Sequence, residues 1–497
     1  MQLKYASLKE SSAKLKFRHQ AFINGKYVNA RSGETFDCIN PATGKVLTKV
    51  TSCDHEDVNL AVKAARKAFE SGVWSQRSPN ERKNVLLKFA DLIEQHQYEL
   101  ALLETLDMGK PIRDSYESDV PGAAKCVRWH AEAIDKIYGQ IAPTAPNVVA
   151  MITREPLGVI GAVTPWNYPL YLACAKIAPA LATGNSIVIK PAEQSPLTTI
   201  YVAQLAQEAG VPDGVLNVLP GFGETAGQAL GLHPDVDAVS FTGSTEVGKL
   251  FLRYSAESNM KRIFLECGGK SPNIVLADYS NLDKAAQSSI AGVFSNQGQI
   301  CCAPTRLLVQ ENIREEFVDK LIKHSKDFQP KDPLDPKTIM GAVVSETQMD
   351  RILTYVKSGE SSGANLVLGG AQARKNSGGY FMEATIFDNV KNNMKIAREE
   401  IFGPVLSVLP FKTMEEAIKI ANDTHYGLAA SVWTSDINKA HKIAKALRAG
   451  VVSVNTVDTG DITVTFGGYK QSGIGREGSL LGLENYTEVK TTWIELS

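Results

Sequence analysis

The chain has 497 residues, of which 43% are hydrophobic and 22% charged, and its 53 basic and 54 acidic residues leave a net charge of −1. This balance excludes a chain that is disordered throughout and offers no basic surface of the kind that nucleic acids require. At about 100–200 residues per domain, the length predicts about two or three domains.

The N-terminal segment MQLKYASLKESSAKLK contains no apolar stretch long enough for a secretory signal. The most apolar segment, residues 168–182, is interrupted by Pro169, Lys176 and Pro179 and is too short to span a bilayer. Seven cysteines, a low and odd number, argue against a disulfide framework and favour a reducing compartment. We therefore expect a soluble, cytoplasmic protein that does not associate with membranes.

The hydrophobic pattern changes twice along the chain. Residues 17–50 alternate apolar and polar positions around Asn-Gly and Ser-Gly turns, which predicts short strands, and residues 55–137 have helical periodicity. From residue 158, short apolar runs that end in Gly or Pro alternate with helical segments: GVIGAVTP, NSIVIKP, GVLNVLPG and AVSFTG, then NIVLAD, TRLLVQ and VLSVLPF. Buried strands that alternate with helices predict an α/β fold with parallel sheets.

Three glycine-rich segments are candidates for phosphate binding: PGFGETAG, GSTEVGKL and LECGGKSPN. PGFGETAG approximates the dinucleotide fingerprint G-x-G-x-x-A but lacks a suitable acidic residue about 20 positions later, so a simple turn before a helix is an equal alternative. GSTEVGKL, residues 243–250, follows the P-loop pattern as far as Lys249, but Leu250 replaces the Ser or Thr that binds Mg²⁺. A P-loop phosphotransferase is therefore the remote alternative, although a helix N-terminus here can still receive a pyrophosphate.

Two segments carry reactive side chains. In LECGGKSPN, Glu266 precedes two glycines that allow close approach of the backbone. Read alone, the segment also suits a strand-end Glu in a surface turn. In NQGQICCAPTR, Cys301 and Cys302 are adjacent, and no histidine lies near them in the sequence. Either thiol is a nucleophile only as a thiolate, and most cysteines are small buried apolar residues. The residues alone do not decide between the two thiols.

Eight segments in a fixed order identify a family resemblance: TPWN (164–167), KPAE (190–193), GFGETAG (221–227), FTGSTEVG (241–248), LECGGKSPN (265–273), NQGQICCA (296–303), EEIFGPV (399–405) and FGGYKQSGIGREG (466–478). Together they resemble the NAD(P)-dependent aldehyde dehydrogenase superfamily over about residues 20–495. RSGETFDC, WSQRSP, LETLDMGKP, SNMKRIFLE and YTEVKTTWIEL are similar to the bacterial γ-glutamyl-γ-aminobutyraldehyde dehydrogenases, which act on aminoaldehydes in polyamine (putrescine) catabolism.

The resemblance implies a fold in three parts. A Rossmann-type NAD-binding domain is expected over residues 17–138 and 158–267, and an α/β catalytic domain over residues 268–479. Residues 139–157 and 480–497 match a small β oligomerisation arm, which in relatives extends a partner subunit's sheet by edge pairing. The chain is therefore expected to form a homodimer or a homotetramer.

The resemblance also assigns the chemistry. In the family pattern Gly-Gln-x-Cys, the nucleophile falls on Cys301, while Cys302 occupies the variable next position. Glu266 matches the general base and Asn167 the side chain that binds the oxyanion. The implied reaction oxidises an aldehyde to its carboxylic acid through a thiohemiacetal and a thioester on the cysteine. The family needs no metal for this chemistry, and no Cys/His spacing in the chain resembles a metal site.

The cofactor implied is NAD, with NADP as the alternative. Glu193 is expected to bond the ribose 2′-hydroxyl and to repel a 2′-phosphate, which favours NAD. The residues that match the family's cofactor-binding positions are Thr164, Pro165, Trp166, Asn167, Lys190, Glu193, Gly223, Gly227, Phe241, Gly243, Ser244, Val247, Glu400 and Phe402.

The substrate is less sharply defined. Ala175 and Gly460 stand where several relatives have aromatic residues, which implies room for a long or bulky aldehyde. Tyr168, Tyr171, Asp458 and Asp461 are candidate substrate contacts, because carboxylates and aromatic faces suit an ammonium or amide tail; solvated loop carboxylates are the alternative reading of the two Asp residues. An aminoaldehyde such as γ-glutamyl-γ-aminobutyraldehyde is expected. A broad-specificity aliphatic or betaine aldehyde dehydrogenase is the alternative, and a non-catalytic relative is disfavoured by the joint presence of Cys301, Glu266 and Asn167.

Overall fold

The structure is a computed structural model that describes residues 3–457 and 460–497. Its strands are β1 Ala21–Ile23, β2 Lys26–Val28, β3 Thr35–Asn40, β4 Lys45–Thr51, β5 Gln140–Ala142, β6 Val148–Pro156, β7 Val159–Val163, β8 Ser186–Lys190, β9 Leu216–Val218, β10 Ala238–Thr242, β11 Arg262–Glu266, β12 Pro272–Val275, β13 Arg306–Gln310, β14 Asn365–Leu368, β15 Gln372–Ala373, β16 Phe381–Met382, β17 Thr385–Asp388, β18 Val405–Phe411, β19 Ala429–Trp433, β20 Val451–Val454, β21 Gly473–Ile474 and β22 Thr487–Glu495.

The helices are α1 Tyr5–Lys14, α2 His55–Glu70, α3 Pro79–Gln95, α4 Gln97–Met108, α5 Ile112–Asp114, α6 Val120–Ala133, α7 Pro169–Ala182, α8 Leu197–Ala209, α9 Gln228–Leu232, α10 Thr245–Glu257, α11 Leu282–Phe294, α12 Arg314–Ser325, α13 Glu346–Ser361, α14 Lys395–Arg398, α15 Met414–Asn422, α16 Ile437–Ala446 and α17 Ser479–Gly482. Within the described residues, no helix has the length and apolar character needed to cross a bilayer.

The first sheet has eight strands in the order β2-β1-β9-β8-β7-β10-β11-β21. Its centre, from β9 to β11, is parallel, whereas β2, β1 and β21 pair antiparallel at the two edges. Every residue of β7, β8 and β10 is buried, because helices cover both faces of the sheet. This is the reason that these strands appear in the sequence as continuous apolar runs.

The second sheet has seven strands in the order β14-β17-β18-β13-β12-β19-β20, and all its neighbours are parallel except β14 and β17. Each sheet has its own hydrophobic core on both faces. The predicted α/β class with parallel sheets is confirmed. The division into the three predicted domain ranges stays a prediction, and β21, which lies within the predicted catalytic range, pairs with β11 of the first sheet.

The third sheet, β22-β6-β5, is antiparallel and joins the two segments predicted to form the arm. Strand β22 pairs with the whole of β6, from Thr487 opposite Pro156 to Glu495 opposite Val148. The start of the predicted β arm at residues 480–497 is not a strand, because residues 479–486 form helical turns before β22. Leu483 and Tyr486 on these turns are each 2% exposed, so their burial explains the local helix.

Candidate active site

A cavity of about 620 Å³ lies at the carboxyl ends of β7, β10 and β11. In the first sheet, β8 lies on one side of β7 and β10 on the other, and such a reversal of strand order creates a ligand-binding crevice in α/β sheets. Helices α6 and α7 and the segment after residue 460 form the other walls. The cavity is lined by the predicted residues Pro165, Trp166, Asn167, Tyr168, Tyr171, Gly243, Ser244, Glu266, Cys301, Glu400, Phe402 and Asp461.

The turn before Cys301 has an unusual backbone conformation. Asn296, Gln297 and Gly298 have φ values of 48°, 58° and 70° in succession. A Cβ at residue 298 would lie 2.1 Å from the carbonyl oxygen of Gly403, so only glycine fits this position. Left-handed residues other than glycine cost about 1–3 kcal/mol and concentrate at functional sites. The turn therefore holds Cys301, which is partly exposed, at the wall of the cavity.

Asn167 is anchored to the same turn. Its side-chain Nδ2 donates to the carbonyl oxygen of Gln299 over 2.9 Å, and Asn296 Nδ2 donates to the carbonyl oxygen of Asn167 over 3.0 Å. The side chain of Gln299 is fully buried and accepts from the backbone N–H of Val344 over 3.0 Å. An amide has two N–H groups, and the second N–H of Asn167 makes no hydrogen bond to another described residue. Asn167 is thus a fixed donor beside Cys301.

Glu266 ends strand β11 and is 6% exposed. Burial raises the pKa of its carboxyl to about 8, although the charges of Lys176 and Arg476 oppose the shift. Its Oε2 makes no hydrogen bond to any described residue, and a Cβ at Gly467 would lie 2.7 Å from its Oε1. A buried carboxyl in the wall of a cavity, with one oxygen that has no hydrogen-bond partner among the described residues and with a pKa near neutrality, has the properties of a general base.

A buried ion pair lies next to Glu266. Lys176 on α7 is fully buried and donates to Glu477, which also lines the cavity. Burial lowers the pKa of Lys176 to about 8, while the charge of Glu266 opposes this shift. No sequence pattern connects Lys176 with Glu477, because the two residues lie far apart in the chain and on different elements. This pair therefore belongs to the site although we did not predict it.

A second group of predicted residues lies around Lys190, outside the cavity. Lys190 Nζ donates to the carbonyl oxygens of Pro191 and Gly221, both over 2.8 Å, and lies 3.5 Å from Glu193 Oε2. Its side chain passes 3.7 Å from where a Cβ of Gly227 would lie. Gly223 faces open space. The two carbonyl oxygens orient the Lys190 ammonium group beside the Glu193 carboxylate. The ammonium group therefore lies near the segment that begins at Gly221, in which the space at Gly223 is open.

The end of β10 forms a turn into α10. Ser244 caps the helix, since its Oγ accepts from the N–H of Val247 over 3.2 Å, and Val247 is 36% exposed. Phe241 lies in the core, 3% exposed, and its ring would be 2.5 Å from a Cβ at Gly243. The P-loop-like residues 245–250 are helical, so they do not form a phosphate-binding loop.

The residues present fit a dinucleotide. The hydroxyl oxygens of Thr164 and Thr242 are buried at the carboxyl ends of β7 and β10 and make no hydrogen bond to any described residue. The glycine backbone at residue 243 and the N-terminus of α10 lie beside them, and helix N-termini bind pyrophosphate groups. These groups supply hydrogen-bond donors at the carboxyl ends of β7 and β10.

Glu400 and Phe402 line the cavity near Cys301. The carboxylate of Glu400 accepts from the N–H of Gly269 over 3.1 Å, and a Cβ at Gly268 would lie 2.0 Å from its Oε2, which explains the glycine pair. Burial raises the pKa of Glu400 to about 7. Phe402 has φ of 59°, and its ring packs edge-on against Trp166 with centroids 5.1 Å apart.

The predicted substrate contacts have different surroundings. The ring of Tyr168 faces the ammonium group of the buried Lys110, 4.0 Å from the ring centroid, and Tyr171 on α7 lies across from Gly122 of α6. Asp461 accepts from Lys125 Nζ over 3.0 Å and from Thr463, so its charge is paired. Asp458 lies outside the described residues.

Known proteins match the chain over almost its whole length. The model of the family described as "Aldehyde dehydrogenase family" matches residues 27–492. The NADP/NAD-dependent aldehyde dehydrogenase PuuC of Escherichia coli (strain K12) is 51% identical over 98% of both chains. The solved γ-glutamyl-γ-aminobutyraldehyde dehydrogenase of Burkholderia cenocepacia J2315 is 53% identical with a TM-score of 0.98, covering 100% of both chains. A mutant of the P. syringae indole-3-acetaldehyde dehydrogenase AldA, in complex with NAD+ and IAA, is 55% identical with a TM-score of 0.99, again over 100% of both chains.

The chain therefore belongs to the aldehyde dehydrogenase family and is an NAD(P)-dependent oxidoreductase. The predicted family, fold and class of enzyme are confirmed. The roles of the individual site residues stay predictions.

Proposed function

We propose that Cys301, Glu266 and Asn167 carry out the oxidation of an aldehyde to its carboxylic acid. The observation that supports the proposal most strongly is that these three side chains line one cavity, with Asn167 bonded to the turn that carries the cysteine. A thiolate, a fixed amide donor and a buried carboxyl are the groups that this chemistry requires.

In the first step, the thiolate of Cys301 attacks the aldehyde carbonyl and forms a carbon–sulfur bond. The carbonyl oxygen becomes an oxyanion, which the free N–H of Asn167 and the backbone N–H of Cys301 stabilise. NAD(P)+, held by the residues that match the family's cofactor positions, would supply the acceptor for the hydride that leaves the same carbon. Cys301 then carries a thioester. Its acyl carbon already has the oxidation level of the carboxylic acid product.

Glu266 completes the reaction. Its carboxylate takes a proton from a water molecule, and the resulting hydroxide attacks the thioester carbonyl. The carbon–sulfur bond breaks, so that the acid leaves and the Cys301 thiolate is restored. Lys176 and Glu477 hold charges beside Glu266, and their ion pair keeps the buried lysine oriented behind the cavity wall.

The cofactor proposed is NAD+, with NADP+ as the weaker alternative. Glu193 presents a carboxylate beside the ammonium of Lys190, and a carboxylate there accepts a bond from a ribose 2′-hydroxyl but repels a 2′-phosphate. The P. syringae relative binds NAD+, and the E. coli relative is described as NADP/NAD-dependent.

The proposed substrate is an aminoaldehyde with a modified amino group, such as γ-glutamyl-γ-aminobutyraldehyde in putrescine catabolism. The B. cenocepacia relative, which is named for γ-glutamyl-γ-aminobutyraldehyde, supports this class, and the cavity is large enough for an extended chain. A bulky aromatic aldehyde is the second candidate. Ala175 and Gly122, two small residues that line the cavity, leave room for a ring, and the P. syringae relative acts on indole-3-acetaldehyde.

NADH absorbance tests both parts of the proposal. Wild-type enzyme is assayed for kcat/KM with γ-glutamylamino-aldehydes, free aminoaldehydes, indole-3-acetaldehyde and alkanals of equal length. Cys301→Ala should abolish NADH formation with every aldehyde, whereas its neighbour variant Cys302→Ala should largely retain it. Alkanals oxidised as well as the nitrogen-containing aldehydes would contradict the substrate class, and an active Cys301→Ala would contradict the mechanism.

The same proposal includes assembly into a dimer or a dimer of dimers. The sheet β22-β6-β5 exposes large apolar side chains, among them Trp493 at 63% and Ile141 at 75%. Exposed apolar groups on a sheet with free edges favour pairing with a second copy. Light scattering on the purified protein measures the mass directly, and a monomer at micromolar concentration would contradict this assignment.

A further inference from the structure

Part of the cavity lining comes from Gly122, Cys126 and His130 on α6 and from Tyr171 and Ala175 on α7, and we call this part of the cavity the side pocket. The three positions on α6 are four residues apart, as are the two on α7, so each set lies along one face of its helix. A Cβ at Gly122 would lie 3.6 Å from the ring of Tyr171. Residues 122 and 175 are small, so their side chains take up little of the cavity beside His130.

His130 is buried, with 3% of its surface exposed, yet it lines the cavity. Its Nδ1 lies 2.8 Å from the carbonyl oxygen of Cys126. A carbonyl oxygen can only accept, so Nδ1 carries the hydrogen, and the neutral ring then leaves a lone pair on Nε2. Nε2 makes no hydrogen bond with any described residue. Unlike the fully enclosed polar atoms that lack a partner, Nε2 keeps some accessible surface.

The charge state of the ring follows from its surroundings. Burial lowers the pKa of His130 to about 4, so the imidazole is uncharged at neutral pH and Nε2 is an acceptor. Cys126 faces the ring from the same helix, and burial raises the pKa of this thiol to about 12. Across the pocket, burial raises the pKa of Tyr171 to about 12 and raises that of Cys174. All these groups are neutral at physiological pH.

The charged groups nearest to the side pocket are already paired. Asp119 binds the buried Lys110, and Asp461 binds Lys125 over 3.0 Å. An ammonium group placed against His130 would therefore enter an uncharged pocket without a counter-ion, which is costly. A neutral N–H donor has no such penalty and satisfies the lone pair of Nε2.

We propose that the side pocket is a subsite for a neutral N–H group on the tail of the aldehyde, with His130 Nε2 as its acceptor. The group is an amide N–H in an N-acylated aminoaldehyde or the ring N–H of an indole. This inference rests on the proposed function and narrows its substrate class, because it assigns recognition to the N–H and not to a positive charge.

The test uses substrate pairs that differ only in this N–H. The amide 4-acetamidobutanal is compared with the ester 4-acetoxybutanal, and indole-3-acetaldehyde with 1-benzothiophene-3-acetaldehyde. Wild-type enzyme should prefer the N–H member of at least one pair by about tenfold in kcat/KM, the effect of one net hydrogen bond. The pair that shows this preference tells whether the N–H comes from an amide or from an indole.

Two variants test whether His130 causes the preference for the N–H substrate. His130→Phe keeps a ring but no acceptor, and should reduce the preference to about one by lowering kcat/KM only for the N–H substrate. His130→Gln offers a side-chain oxygen as acceptor and should restore part of the preference. Unchanged turnover of the ester or benzothiophene partner shows that each variant is folded.

Three results would overturn the proposal: a wild-type enzyme that treats both members of each pair alike, a preference that survives in His130→Phe, or an equal loss for both members. These results are separate from a failure of the proposed function. A failure of the proposed function is detected in the wild-type enzyme, if alkanals have the same kcat/KM as nitrogen-containing aldehydes of equal length.

Discussion

The side-chain amide of Asn167 donates a hydrogen bond to the carbonyl oxygen of Gln299, 2.9 Å away, two residues before Cys301. This bond orients the amide so that its second N–H can face a carbonyl oxygen attached to the cysteine. Asn167→Ala should therefore lower kcat by about 10²–10³, the usual cost of one oxyanion donor. Asn438→Ala, on the exposed surface of α16, is the control and should leave kcat unchanged. A decrease in kcat of less than about threefold in Asn167→Ala would show that Asn167 does not stabilise the transition state.

Glu266 should control the pH dependence of thioester hydrolysis. Burial raises the pKa of its carboxyl to about 8, so below that pH the group is protonated and cannot accept a proton from water. The hydrolysis rate in single-turnover experiments should rise with pH from 6 and level off above about 8. Glu266→Gln should retain the first formation of NADH but hydrolyse the thioester slowly at every pH. A wild-type hydrolysis rate that is flat between pH 6 and 8 would contradict the assignment.

Glu193 should determine the preference between the two cofactors. Its carboxylate lies 3.5 Å from Lys190 Nζ, and a 2′-phosphate placed there would meet a like charge. Glu193→Ser should raise kcat/KM for NADP+ relative to NAD+ by at least about tenfold, since the repulsion is removed while Lys190 stays. Glu224→Ser, a carboxylate in the nearby segment after Phe222, is the matched variant with a smaller expected effect. If the ratio of kcat/KM for NADP+ to kcat/KM for NAD+ is unchanged in Glu193→Ser, Glu193 does not contact the cofactor ribose.

Lys110 should contribute to stability more than any exposed lysine. It is 1% exposed and is paired with the buried carboxylates of Glu104, 3.3 Å away, and Asp119. Lys110→Met removes the cation and leaves two buried acids, which should cost about 3–5 kcal/mol in unfolding free energy. Lys125→Met breaks the exposed pair with Asp461 and should cost at most about 1 kcal/mol. Chemical denaturation of the two variants measures this difference in unfolding free energy, and equal denaturation midpoints would contradict it.

The sequence predicts the parts of the molecule that depend on local pattern. Continuous apolar runs predict β7, β8 and β10 because both faces of these strands are covered. Ordered motifs identify Cys301, Glu266 and Asn167, and the structure brings these three residues to one cavity.

Other parts depend on long-range packing and leave no local signal. Glu477 meets Lys176 only because β21 pairs with β11 at the sheet edge, which no pattern near either residue indicates. His130 has the sequence context of an ordinary helix, and it becomes a cavity residue because Gly122 and Ala175 are small on the two helices that pack together. The helical turns at residues 479–486 likewise form because Leu483 and Tyr486 pack into the core.

The most direct test of the central claim is to find the acyl group on the enzyme. Glu266→Gln is mixed with NAD+ and 4-acetamidobutanal, and intact-protein mass spectrometry is followed by peptide mapping. We expect a burst of about one NADH per chain and an added acyl mass on the peptide that contains Cys301, because the thioester forms but its hydrolysis is slow. The same burst and added mass in the double variant that also carries Cys301→Ala, or an acyl group found on Cys302, would contradict the assignment of the nucleophile.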